Sequence, residues 1–140
     1  MEFLQAFHRM MENTKDIALA TSVNNVPNVR VVNFYYDPQK KGVLYFSSIK
    51  DNPKTFEFSQ NNKVAFTTIP VDMIEHTRVT KGIVKKSDFT IFDLKEAFIK
   101  KYPSYEIMIA QAGDRLAIYE IHFNEANITL SFDKQGKVTL

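Results

Sequence analysis

The chain has no cysteine and no tryptophan, and only four glycines among its 140 residues. Without cysteine there is no disulfide, no thiolate metal ligand and no thiol nucleophile. That composition fits a reducing compartment and sets a cytoplasmic expectation. The glycines do not cluster, which removes the glycine-rich loops that cradle nucleotide phosphates. No apolar run approaches the roughly 20 residues a membrane helix needs. The opening "MEFLQAFHRMMEN" is amphipathic and carries acids, unlike a secretory signal. Charge of one sign is scarce too: 18 Lys+Arg face 16 Asp+Glu, a net +2. The arginines are Arg9, Arg30, Arg78 and Arg115, dispersed rather than striped, which argues against nucleic acid as a partner.

Catalytic constellations are missing as well. His8, His76 and His122 are scattered without metal spacing, so no metal is expected, and Ser47-Ser48 has no local base. The acids Glu57, Asp88, Asp93, Glu96 and Asp114 fall on predicted helices or turns, where capping or solvation accounts for them.

What the chain does have is strand and helix patterning over a single domain, 1–140. Residues 2–13 place Phe3, Phe7, Met10 and Met11 on one helical face. "DIALATSV" (16–23) reads as a strand, "NNVPN" as a polar turn, and "VRVVNFYY" (29–36) as a second strand. "DPQKKG" closes a hairpin onto "VLYFSS" (43–48). In "KDNPKTFEFSQNN", Asp51 or Asn52 caps a helix, Pro53 suits its first position and Phe56 supplies its buried face. Strands follow over 63–70 and 73–86, the second bending at Gly82. A helix over 87–102 carries a stripe of Phe89, Phe92, Leu94, Phe98 and Ile99, and a short helix precedes a strand at 115–123. "NITLSF" and "KVTL" flank a last turn. Consecutive strands joined by tight turns pair antiparallel. The fold class is therefore α+β: a mainly antiparallel small barrel of six to seven strands with flanking helices.

One residue sits oddly in this pattern. Arg30 occupies a strand position where an apolar side chain would pack more cheaply, so it lies either on a wet face or at an anion site. Ser47 and Ser48 end the strand hairpinned to it, and Asn52 and Lys54 stand at the start of the next helix. Free N–H groups at a helix start, a planar guanidinium, an ammonium and hydroxyls are the donors a phosphate needs.

At these residues the sequence resembles the pyridoxamine 5′-phosphate oxidase-like family, the FMN-binding split β-barrels. The carriers are "IALATSVNNVPNVRVVNFYY", "GVLYFSSIKDNPK" and "HTRVTKGIV", in order over roughly residues 3–123. Within the family the chain is most similar to the short nitroimidazole-resistance-type proteins. The resemblance implies a homodimer with two FMN sites at the interface. By position, Arg30 and Lys54 hold the FMN phosphate, assisted by Ser47, Ser48 and Asn52, with Arg30 facing an outer cleft of the barrel. The backbone of Val31, Val32 and Asn33 lies against the isoalloxazine, and Thr77 makes a polar contact to the flavin. Asn52-Pro53-Lys54 stands where relatives commonly carry Ser-x-Lys. The C-terminal Arg-x-Trp-type motif of genuine vitamin B6 oxidases is missing, which argues against pyridoxine phosphate as substrate. The functional expectation is an FMN-dependent oxidoreductase acting on a small molecule, with a reduced nicotinamide as candidate donor. The alternatives are a non-catalytic flavin- or haem-binding module and a structural barrel with an emptied site.

Overall fold

Alternation in Asp16–Val23 (β1) puts Ile17, Leu19 and Thr21 in the interior, the period-2 pattern of a strand with one buried face. A computed structural model describes residues 2–72 and 74–140. Its first element is the helix Glu2–Asn13 (α1), which buries Ala6, Phe7, Met10 and Met11. After β1 the chain turns at Asn24 and Asn25, both at positive φ, a conformation asparagine tolerates better than most residues. It returns as Val26–Asn33 (β2), paired antiparallel with β1 from Val23↔Val26 to Asp16↔Asn33. The turn is thus two residues long, and "VPN" belongs to the strand. Phe34 interrupts the expected single run, leaving Tyr35–Tyr36 (β3) as a separate two-residue strand.

Val43–Ile49 (β4), the helix Pro53–Gln60 (α2), Lys63–Thr68 (β5) and His76–Lys86 (β6) follow. The last of these was expected from Met73, which lies outside the described residues. Next come the helices Lys95–Lys101 (α3) and Tyr105–Ala112 (α4), a 3-10 turn at Gly113–Arg115, and the strands Leu116–His122 (β7), Glu125–Ser131 (β8) and Lys134–Thr139 (β9). Among the described residues nine strands form one antiparallel sheet, in the order β2-β1-β5-β6-β7-β4-β3, with β8 pairing β6 and β9 pairing β8. The two ends of that path, β2 and β3, are joined through Phe34, so the sheet curls round on itself without a ladder to seal it. This is the α+β split barrel expected, with the strand count raised to nine by β3 and the β8–β9 hairpin. Where β6 passes β5, the register shifts between Val64 and Phe66. There Gly82 lies against Val64 and Ile121, and a Cβ on it would stand 3.0–3.2 Å from them.

Two apolar clusters result. The interior of the barrel holds Phe7, Met11, Ile17, Leu19, Phe34, Leu44, Phe46, Ile121 and Ile128 under α1. Outside it, Tyr45, Ile91, Phe98, Tyr102, Tyr105, Ile109 and Ile118 join α3 and α4 to β4 and β7. The expected helix over 87–102 begins only at Lys95. Ser87 still continues the sheet through its N–H to Ile118, and Thr90 and Asp93 cap each other across a turn. Ile91, not Phe92, is the buried member of that segment. In α2 the buried face belongs to Phe58 (7% exposed), which packs edge-on against Phe46, while Phe56 is 62% exposed. This corrects the expectation from sequence: two positions apart on a helix are about 200° apart around its axis, so only one of the pair can face the barrel.

Candidate functional site

Arg30 shares the inward row of β2 with Val32 and Phe34, at the end of the barrel that α2 covers, rather than facing an outer cleft. Its guanidinium is held three ways: an ion pair with Glu57 of α2, a hydrogen bond of 2.9 Å to Thr21 Oγ1, and one of 3.3 Å to the Leu19 carbonyl. Glu57 in turn accepts 2.8 Å from Thr21 and 2.9 Å from Asn28. The Asn28 amide, then Thr21 and Arg30, keep its carboxyl below the usual carboxylate range. In the free chain Arg30 is a largely buried cation paired with Glu57.

Lys54 completes the group. Asn52 caps α2 through its side-chain oxygen, which accepts the Lys54 N–H at 3.0 Å, and Pro53 fills the first helical position as expected. The cap fixes Lys54 on the first turn of α2. Partial burial, then the Arg30 charge, push its ammonium below the ordinary lysine value. Among the described residues no carboxylate lies within ion-pairing distance of it. A half-buried cation beside another cation, at a helix start, is a place where a phosphate relieves both desolvation and repulsion.

A second knot gathers residues from three elements around Tyr105 of α4. Its hydroxyl donates to Asn33 Oδ1 at 3.0 Å, and the Ser47 hydroxyl of β4 lies near enough to act on it electrostatically. Burial raises the phenol's pKa, with the Ser47 hydroxyl opposing, so it stays a neutral donor. Asn33 is also oriented by its amide, which donates 2.7 Å to Asp16. Beside this knot Val29 and Val31 stand 63% and 61% exposed on the outer row of β2. That strand pairs only with β1, so part of its backbone N–H and C=O groups face outward unpaired.

The remaining expected residues lie elsewhere. Ser48 points into the barrel, nearly fully buried, with a 3.4 Å contact to the Ile49 carbonyl. Val32 is a core residue. Thr77 is wholly buried beneath α1, where its hydroxyl meets Met10 Sδ at 3.8 Å, and its N–H is bound by Thr68 Oγ1 at 2.9 Å. The structure thus joins Arg30, Asn52 and Lys54 in one group and Asn33 and Ser47 in another. Sequence reasoning missed Glu57 and Tyr105. The only early signal for Glu57 was a carboxylate one turn after Lys54; for Tyr105 there was none, because its partners are 72 and 58 positions away.

Comparison with known proteins places the fold. No protein of curated function matches the sequence. Solved structures match over nearly the whole chain. A Clostridium acetobutylicum protein related to general stress protein 26, of the pyridoxinephosphate oxidase family, superposes with a TM-score of 0.76 at 13% identity, covering 99% of this chain and 95% of its own. A NimC/NimA family protein of the same organism gives 0.69 at 18% identity, covering 99% and 93%. An FAD-binding protein from Mesorhizobium loti gives 0.63 at 12%, covering 96% and 91%. At such identities the likeness concerns the fold. The sequence profile of the pyridoxamine 5′-phosphate oxidase-like family matches residues 10–135, and the chain belongs to that family.

Proposed function

We propose that the protein binds FMN and acts as a flavin-dependent oxidoreductase on a small molecule. The observation that carries this reading is the pairing of Arg30 with the acid-free Lys54 at the start of α2. In this reading the FMN phosphate is taken by Lys54 and by the Arg30 guanidinium. The outward edge of β2 at Val31–Asn33 offers backbone donors and acceptors to the ring, and Val31 offers it an apolar contact. Tyr105, fixed between Asn33 and Ser47, orients the polar groups that flank it. Bound flavin supplies hydride and electron transfer, so this chain's own residues need only hold, orient and desolvate the ring. That agrees with the lack of any acid–base constellation in the sequence. A second copy of the chain covering Val29, Val31 and Ile49, all exposed, would shut water from the ring and make the homodimer the working unit.

The test is a visible spectrum of the protein after incubation with FMN and desalting, followed by addition of NADH or NADPH. Retained flavin bands that bleach with either nicotinamide support the reading. Retained bands that stay oxidised favour the non-catalytic flavin module, and a colourless protein refusing FMN removes the cofactor. Glu57 supplies a sharper check, since it competes with phosphate for Arg30. Glu57→Gln removes the negative charge and is expected to tighten FMN binding by about tenfold, or about 1.4 kcal/mol, as read by flavin fluorescence. Weaker binding in that variant would mean that Glu57 serves mainly to orient Arg30.

A further inference from the structure

The second lysine of unusual surroundings is Lys101, at the end of α3. Its Nζ stands 3.6 Å from the centroid of the Phe34 ring and 5.5 Å from that of Tyr102, and donates 3.1 Å to the Met11 carbonyl. None of these partners carries a negative charge. Among the described residues no carboxylate lies within ion-pairing distance of it, whereas buried charges are ordinarily paired. Beside it opens a cleft of about 430 Å³ between α1, β3 and α3. Lys15 and Lys100 join Lys101 in its lining; Met11, Tyr35 and Pro38 supply apolar surface.

The charges facing Lys101 come from every element packed around it. Glu12 and His8 belong to α1, Lys15 to the α1–β1 junction, Asp16 to β1, the phenols Tyr35 and Tyr36 to β3, and Lys100 and the Tyr102 phenol to α3 and its end. In the lining of the cleft Lys15, Lys100 and Lys101 outnumber the carboxylate of Glu12, so its wall is net positive. An anionic group relieves that excess, and the apolar surface of Met11, Tyr35 and Pro38 suits one carried on an organic body. His8, which also lines the cleft, has a buried Nδ1 with no hydrogen-bond partner.

We propose that this cleft binds a small organic monocarboxylate, with the carboxylate paired to the Lys101 ammonium and the apolar body against Tyr35 and Pro38. The site is separate from the Arg30–Lys54 group: its lining contains none of Arg30, Asn52, Lys54 or Glu57. Burial, then the Lys15 charge, lower the Lys101 ammonium to about 7, with Asp16 and Glu12 opposing. The folded chain therefore holds this proton less tightly than the unfolded one, and the free protein gains stability as pH rises from about 7 towards 10.5. A bound carboxylate does the reverse: it holds the proton, and its affinity is greatest below pH 7.

Benzoate is the probe, titrated calorimetrically into the protein as purified, at pH 6 and pH 8.5. Neither arm requires flavin, so failure here and failure of the flavin reading are distinguishable. The expected result is saturable binding at pH 6 that weakens roughly tenfold or more by pH 8.5 and is lost in Lys101→Met, which keeps the aliphatic stem. A wild-type measurement guards against a variant that does not fold. The side-chain carbon resonance of Lys101 should titrate near pH 7 in the free protein and at least about one unit higher with saturating benzoate, roughly the linkage of a tenfold affinity change. No binding at about 10 mM benzoate, where only affinities weaker than about 3 kcal/mol escape, overturns the proposal. So does an unmoved Lys101 titration, or a folded Lys101→Met protein that binds as the wild type does.

Discussion

The Arg30→Ala, Lys54→Ala protein is expected to lose FMN on desalting, with affinity reduced by two to four powers of ten. Each charge-assisted hydrogen bond to a phosphate contributes about 1.5–3 kcal/mol, and two such losses give about 3–6 kcal/mol, the range just quoted. The two substitutions differ in their side effects. Among the described residues Lys54 has no acid partner, so its removal relieves a repulsion with Arg30 and leaves the free protein as stable or slightly more stable. Arg30→Ala instead strands Glu57, whose side chain is only 19% exposed, and should lower the melting temperature. Glu57→Gln added to Arg30→Ala should recover part of that loss. The measurements are an FMN dissociation constant and a thermal melt for each variant. A double variant that keeps FMN within about threefold, under 1 kcal/mol, would remove both residues from the site.

Gly42→Ala carries the largest expected effect on stability. Gly42 has a φ of +77°, and a Cβ built there would meet the Phe123 carbonyl oxygen at 2.2 Å. The obstacle is backbone, not the end of a movable side chain. Phe123 N–H donates to the Gly42 carbonyl at 2.8 Å, and the Tyr36 hydroxyl accepts the Gly42 N–H at 3.1 Å. Relieving the clash means pulling the β3–β4 turn off the end of β7. A left-handed alanine costs about 1 kcal/mol by itself; with the lost hydrogen bonds, each about 1 kcal/mol net, the total is about 3 kcal/mol. A denaturation midpoint that falls by less than a third of that would show that the turn relaxes freely.

How far these sites were legible in the sequence follows from what sets each feature. The bounds of α1 and β1 were readable because each displays its own period, 3.6 for one and 2 for the other. The Asn52 cap and Pro53 were readable because a helix start is decided within four residues. By contrast, the choice between Phe56 and Phe58 depends on where Phe46 stands, and the break at Phe34 depends on Tyr102. That hydroxyl accepts the Phe34 N–H at 2.9 Å and lies 2.6 Å from the Phe34 carbonyl, removing both groups from any ladder. The candidate site divides the same way. Arg30 stood out as a charge in an apolar strand, but its partner Glu57 looked like an ordinary helix acid until α2 was laid across the barrel's end. Nothing in the sequence marks Lys101, since neither Phe34 nor Met11 is near it along the chain.

The strand order has a consequence for synthesis of the chain. Strand β4 has one short local partner, β3, and one long partner, β7, where Ile49 faces Leu116 and Val43 faces His122. While the chain leaves the ribosome, β4 waits for a partner nearly 70 positions behind it. At roughly 5–20 residues per second the delay is on the order of 3–13 s. Throughout it the β7-facing edge of "VLYFSSI" is an open, strand-forming edge, the kind that recruits copies of itself. Lys40 and Lys41 precede this segment and Lys50 and Asp51 follow it. Charges in those places act as gatekeepers against aggregation, protecting a strand that must stay soluble until its partner arrives.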